Sequence, residues 1–119
     1  MKVLIIDDNA GLVALTQFML ELEGYEVRSA STVRDGYLSF LQFHPDLVIT
    51  DIQMSGKNGF ELMTRFREHD PKVKTIYMSD SLNYFNSDLT AEKNKYIIGC
   101  LDKPFSRSEL IECVSEVIR

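Results

Sequence analysis

The sequence has no tryptophan, only two cysteines and three prolines, and no surplus of positive charge. Thirteen Lys and Arg stand against 18 Asp and Glu, a formal net charge of −5. That balance argues against direct binding of nucleic acid or of an anionic membrane surface by this chain. No apolar run approaches the roughly 20 residues that a membrane span needs. Met1-Lys2 is followed by four apolar residues and then Asp7-Asp8, which is too short for a secretory signal. These absences predict a cytoplasmic location and no membrane partner. Cys100 and Cys113 lie in apolar surroundings without CxxC spacing. They predict no zinc site, give a disulfide no support, and read as small buried or half-buried thiols in a reducing compartment.

What is present is enough for one core. The chain has 119 residues, 45% of them hydrophobic. A chain of this size folds as one domain, here taken as residues 1–119, without needing a structural metal. Short apolar runs alternate with helix-like segments. Val3–Ile6 and Leu47–Thr50 are continuous apolar runs, as expected for strands covered on both faces. Tyr25–Ser29, Val73–Met78 and Tyr96–Leu101 read as three more strands.

Between the strands, helices are predicted. Asp8 or Asn9 can cap the first, which has Leu12, Leu15, Phe18, Met19 and Leu22 at helical spacing and stops at Gly24. Ser31 or Thr32 can cap the second, with Val33, Tyr37, Phe40 and Leu41 on one face and a break at His44-Pro45. Asn58 with Glu61 resembles a capping box for the third, with Leu62, Met63 and Phe66 inward. Ser106 to Glu109 is a capping-box pattern for the last, whose inner face is Leu110, Val114, Val117 and Ile118. The stretch 80–95 has no clear helical stripe. Residues 52–57 read as a loop. Five β/α units of this kind imply an α/β fold, with a mainly parallel sheet between two helical layers.

In open α/β sheets ligands bind beyond the carboxyl ends of the strands. The chemically unusual residues fall there: Asp7 and Asp8 after strand one, Asp51 after strand three, Ser79 after strand four, Lys103 after strand five. Each alone has an ordinary reading as a cap, a turn hydroxyl or a solvated lysine. Together they suit phosphoryl transfer. Carboxylates brought close repel one another and favour a bound proton or cation. Oxygen ligands suit Mg2+. Asp51 can attack phosphorus to give an acyl phosphate, Lys103 can neutralise phosphoryl oxygens, and Ser79 can hydrogen-bond one of them.

These residues carry a resemblance to the response regulator receiver domains of two-component signalling. It rests on VLIIDD at residues 3–8, PDLVITDIQM at 45–54, Gly59, Ser79, and Lys103-Pro104-Phe105. The resemblance implies a doubly wound, flavodoxin-like fold with strand order 2-1-3-4-5. It implies phosphorylation at Asp51, and Mg2+ held by the acidic pair Asp7 and Asp8, by Asp51 and by the main-chain carbonyl of Gln53. Ser79 and Lys103 match the family's phosphate-contacting switch positions. A cis peptide bond before Pro104 is also implied. The expected donor is a phosphohistidine on a sensor kinase or phosphotransfer protein. The output partner is not legible, and the state is monomer or phosphorylation-linked dimer. The function expected is a phosphoacceptor switch, not an enzyme, although it would assist its own phosphorylation and dephosphorylation.

The sequence departs from the family pattern at four places. Ser55 stands where Pro is usual, which predicts a less rigid loop. Asp80 stands where a small residue is usual; it can cap the next helix or repel a phosphoryl group, and capping is the preferred reading. Cys100 occupies a switch position that commonly holds an aromatic. The stretch 80–95 is longer than usual. These departures leave room for a second function, a phosphorylation-independent interaction module. An aspartyl-phosphate phosphatase is disfavoured by Gln53 where a second Asp is usual, and a flavin carrier by Asp7-Asp8 at the phosphate position.

Overall fold

A computed structural model describes all 119 residues. Five strands form one parallel sheet: β1 (Lys2–Ile6), β2 (Glu26–Ala30), β3 (Leu47–Asp51), β4 (Lys74–Ser79) and β5 (Ile98–Asp102), in the order 2-1-3-4-5. Five helices connect and follow them: α1 (Ala10–Leu22), α2 (Val33–Phe43), α3 (Gly59–His69), α4 (Asn86–Lys95) and α5 (Arg107–Ile118). The segments Val3–Ile6 of β1 and Leu47–Ile49 of β3 are apolar and buried because both faces of the sheet are covered there. On one face Leu4, Ile6, Val48 and Tyr77 pack with Phe40, Leu62, Met63, Phe66 and Leu89 from α2, α3 and α4. On the other, Val3, Ile5, Ile49 and Met78 pack with Met19, Leu20, Leu110, Val114 and Val117 from α1 and α5. No helix is long and apolar enough to cross a membrane.

Caps set the helix starts. Asn9, Thr32 and Ser106 each accept a backbone N–H from the third residue on, and Ser106 with Glu109 closes a full capping box. The box expected at Asn58 is only half made. Asn58 accepts from the Phe60 N–H, with no return bond from Glu61.

Helical spacing does not decide which apolar residues of α1 and α2 are buried. On α1 the residues turned to the sheet are Thr16, Met19 and Leu20, while Leu15, Phe18 and Leu22 are 55%, 59% and 59% exposed. Helix α1 is apolar nearly all round, so spacing alone offers two stripes and cannot choose between them. On α2, Leu41 is exposed and Phe43 takes the core position.

The stretch that lacked a stripe is two elements. A 3-10 turn (Leu82–Phe85) runs into α4, so the apolar residues follow two different periods. Helix α4 itself buries only Leu89. The predicted loop after β3 contains a two-stranded ribbon, Gln53–Met54 against Lys57–Asn58. Its two-residue turn has positive φ at both Ser55 (40°) and Gly56 (77°), the signature of a type I′ hairpin. The proline usual here in the family is locked near −65° and cannot take Ser55's φ.

Candidate functional site

Strand ends β1 and β3 lie side by side, so Asp7, Asp8 and Asp51 emerge together. One carboxylate oxygen from each of the three lies within 4.8 Å of the other two. Asp7 and Asp51 are 1% and 8% exposed, while Asp8 faces solvent. Asp7 is held from its own chain end: its Oδ1 accepts the Asn9 N–H at 2.9 Å.

Lys103, just past β5, reaches across to this cluster. Its Nζ donates to Asp7 Oδ2 at 2.5 Å and to Asp51 Oδ2 at 3.2 Å. The Lys103 N–H also donates to the Ser79 carbonyl at 2.9 Å, fixing the lysine's chain segment to the end of β4. The Lys103–Pro104 peptide bond is cis.

The electrostatics follow from burial and crowding. Burial, and then the neighbouring Asp7, push the Asp51 carboxyl above its ordinary value, with Lys103 pulling the other way. Burial works against the Lys103 charge, but the hydrogen bond and charge of Asp7, with those of Asp51, outweigh it and hold the ammonium above its usual range. Three carboxylates and one ammonium leave two negative charges, the charge of one divalent cation. All of the anionic donors are oxygens, and one is open to water. The cluster is therefore compatible with a hard cation such as Mg2+.

The remaining sequence-predicted residues sit around this centre in different ways. Gln53 donates its N–H to Asp51 Oδ1 at 3.4 Å, and its side chain is exposed. Ser79 is buried at the end of β4, but its Oγ accepts the Ser81 N–H at 2.9 Å and makes no hydrogen bond to Asp51. Gly59, at the start of α3, donates its N–H to the Ile52 carbonyl at 2.7 Å. A Cβ added there would lie 2.5 Å from the Asp51 carbonyl oxygen, so only glycine lets α3 start this close to the end of β3.

Asp80 does not cap a helix. It is exposed, and its Oδ1 accepts the Ser81 hydroxyl at 3.1 Å. The 3-10 turn has no side-chain cap, and α4 starts only at Asn86, out of reach of Asp80. Cys100 is half-buried in the core on the α4 side. Cys113 packs on the opposite face of the sheet, and the two remain free thiols. Burial raises both thiols, Cys113 to about 11, so neither is an activated nucleophile.

Sequence reasoning missed what lies beside Cys100. Its cross-strand neighbour is Tyr77, fully buried. The Tyr77 hydroxyl donates to Glu92 Oε1 at 2.5 Å, and Arg67 Nη1 pairs with the same oxygen at 2.9 Å. The Arg67 guanidinium lies 3.5 Å from the Tyr96 ring centroid. This cluster joins α3, β4 and α4. No local pattern signals it, since Arg67 and Glu92 read as solvated helix charges. Ser55 was also missed as a partner of the site: its hydroxyl donates to Asp8 Oδ2 at 3.2 Å.

Comparison with known proteins finds similarity over nearly the whole chain. The family model described as response regulator receiver domain covers residues 3–115. The transcriptional regulatory protein TrcR of Mycobacterium tuberculosis is 29% identical over 99% of this chain, which spans only 45% of TrcR. Sporulation initiation phosphotransferase F of Bacillus subtilis is 28% identical, with 98% of this chain and 93% of that protein covered. Among solved structures, the response regulator TrrA of Thermotoga maritima, in complex with Mg2+ and BeF, superposes with a TM-score of 0.82. It is 28% identical over 98% of this chain and 97% of that one.

Proposed function

This chain belongs to the response regulator receiver domain family, a signalling module rather than a catalytic enzyme, and we propose that residues 1–119 act as a phosphoacceptor switch centred on Asp51. The observation that carries this reading is the convergence of Asp7, Asp8, Asp51 and Lys103 at one end of the sheet. A carboxylate oxygen of Asp51 attacks the phosphorus of a phosphohistidine. The phosphorus–nitrogen bond breaks, its electron pair returns to the imidazole, and the acyl phosphate forms on Asp51. Lys103 follows the growing negative charge on the phosphoryl oxygens. Asp7, Asp8, Asp51 and the main-chain carbonyl of Gln53 would hold a Mg2+ ion, which when bound would neutralise charge on those oxygens. Ser79 turns its hydroxyl from Ser81 to a phosphoryl oxygen, and this change at the end of β4 alters the surface formed with α4 and β5.

The donor is a histidine kinase or phosphotransfer protein. Its docking surface is α1, which starts two residues after Asp8 and presents Leu15, Phe18 and Leu22 to solvent.

Incubation with a small acyl-phosphate donor and Mg2+ is expected to add one phosphoryl mass to the protein, and chelation of the metal is expected to prevent it. An unlabelled wild type, beside a control receiver that labels, would leave the phosphorylation-independent interaction module as the reading. Lys103→Ala is expected to keep the fold, seen by circular dichroism, and to slow labelling on the order of a hundredfold or more, as for loss of one preorganised stabilising group. An unfolded Lys103→Ala protein would remove support for the phosphate-contact role.

A further inference from the structure

Building on the Mg2+ site proposed above, we infer that Ser55 is a positioning residue for that site, holding Asp8 in the cation pocket through its hydroxyl. Asp8 is the one carboxylate of the three that Lys103 does not touch. It is exposed, and one oxygen each of Asp7 and Asp51 lies within 4.8 Å of one of its own. Like charges at that distance drive Asp8 outward, where water would welcome it. Its only side-chain partner is Ser55 Oγ, 3.2 Å from Oδ2, across 47 residues of sequence. That bond engages one carboxylate oxygen and leaves the other for a cation.

The backbone at Ser55 supports the same conclusion. Its φ of 40° lies in the left-handed region, in a two-residue turn completed by Gly56 at 77°. Glycine or asparagine takes this conformation with least strain. Serine is an expensive choice for the turn alone, and strain of this kind is retained where a side chain has work to do. The hairpin that carries Ser55 also carries Gln53, whose N–H donates to Asp51. One turn therefore connects both ends of the acidic cluster.

Ser55→Gly separates the bond from the backbone, since glycine suits the turn and has no hydroxyl. Ser55→Asn restores a donor with a residue that tolerates positive φ. The measurement is the Kd for Mg2+ alone, by titration calorimetry, with amide NMR reporting the hairpin. Ser55→Gly is expected to bind Mg2+ about tenfold more weakly, as for loss of other groups that orient metal ligands, with the hairpin intact. Ser55→Asn is expected to recover most of the affinity. Equal Kd values for wild type and Ser55→Gly, or an intact Ser55→Asn as weak as Ser55→Gly, would overturn the role of Ser55 and leave the Mg2+ site standing. A wild type that takes up no Mg2+ would instead overturn the site itself.

Discussion

Asp51→Asn is expected to abolish phosphoryl incorporation and, at the same time, to make the protein more stable at neutral pH. The first effect follows from chemistry: an amide has no carboxylate oxygen to form the acyl phosphate. The second follows from electrostatics. Asp51 is 8% exposed and shares its pocket with Asp7 and Asp8. Burial and Asp7 raise its carboxyl above the ordinary 3.8, against the pull of Lys103. A carboxyl whose pKa rises on folding favours the fold while protonated. That contribution is complete below 3.8 and disappears as pH climbs through the raised folded value. Near pH 7 the ionised group therefore works against the fold. Asparagine keeps the shape and removes the charge, and Lys103 retains Asp7. The expected gain is roughly 1 kcal/mol, a few degrees in Tm. It should shrink as pH falls toward 4. Thermal melts of both proteins across this range, with chelator present, test it. A variant less stable than wild type at pH 7 would show that the ion pair with Lys103 outweighs the repulsion.

Glu92→Ala is expected to cost about 3 kcal/mol, roughly 10 °C in Tm, without touching the acidic pocket. The Arg67 and Glu92 side chains are 6% and 16% exposed. Arg67 Nε and Nη2 already lack hydrogen-bond partners, so Glu92 is the group that balances a buried guanidinium. Its removal leaves that charge uncompensated and the buried Tyr77 hydroxyl without its acceptor. Tyr77 remains a donor throughout, because burial and Glu92 hold its phenol far above the ordinary range. Glu92→Gln keeps an acceptor and should lose less. Denaturant unfolding gives the numbers, and a loss below about 1 kcal/mol would show that Arg67 finds water instead. Helix α4 should loosen first, since Leu89 is its one buried residue. Faster hydrogen exchange confined to α4 would be the local sign. This polar cluster stands beside Cys100 and ties α4 to β4.

Much of the fold was legible because short-range chemistry decides it. Continuous apolar runs at 3–6 and 47–50 mark strands buried on both faces, and Asn9, Thr32 and Ser106 mark helix starts by local hydrogen bonding. The strand-end positions of Asp7, Asp8, Asp51, Ser79 and Lys103 were legible for the same reason. What only the tertiary structure decided involves partners distant in the chain. The exposed stripe of Leu15, Phe18 and Leu22 could not be told from the buried one, since both have helical spacing. The Asp80 carboxylate had a plausible local use as a cap that the 3-10 turn denies it. Ser55 meets Asp8, Lys103 meets Asp7, and Glu92 meets Tyr77 at separations of 47, 96 and 15 residues. Local sequence sets dihedral preferences and caps, but the energy of a buried charge depends on who its neighbours are, and those are chosen by the packing of the whole chain.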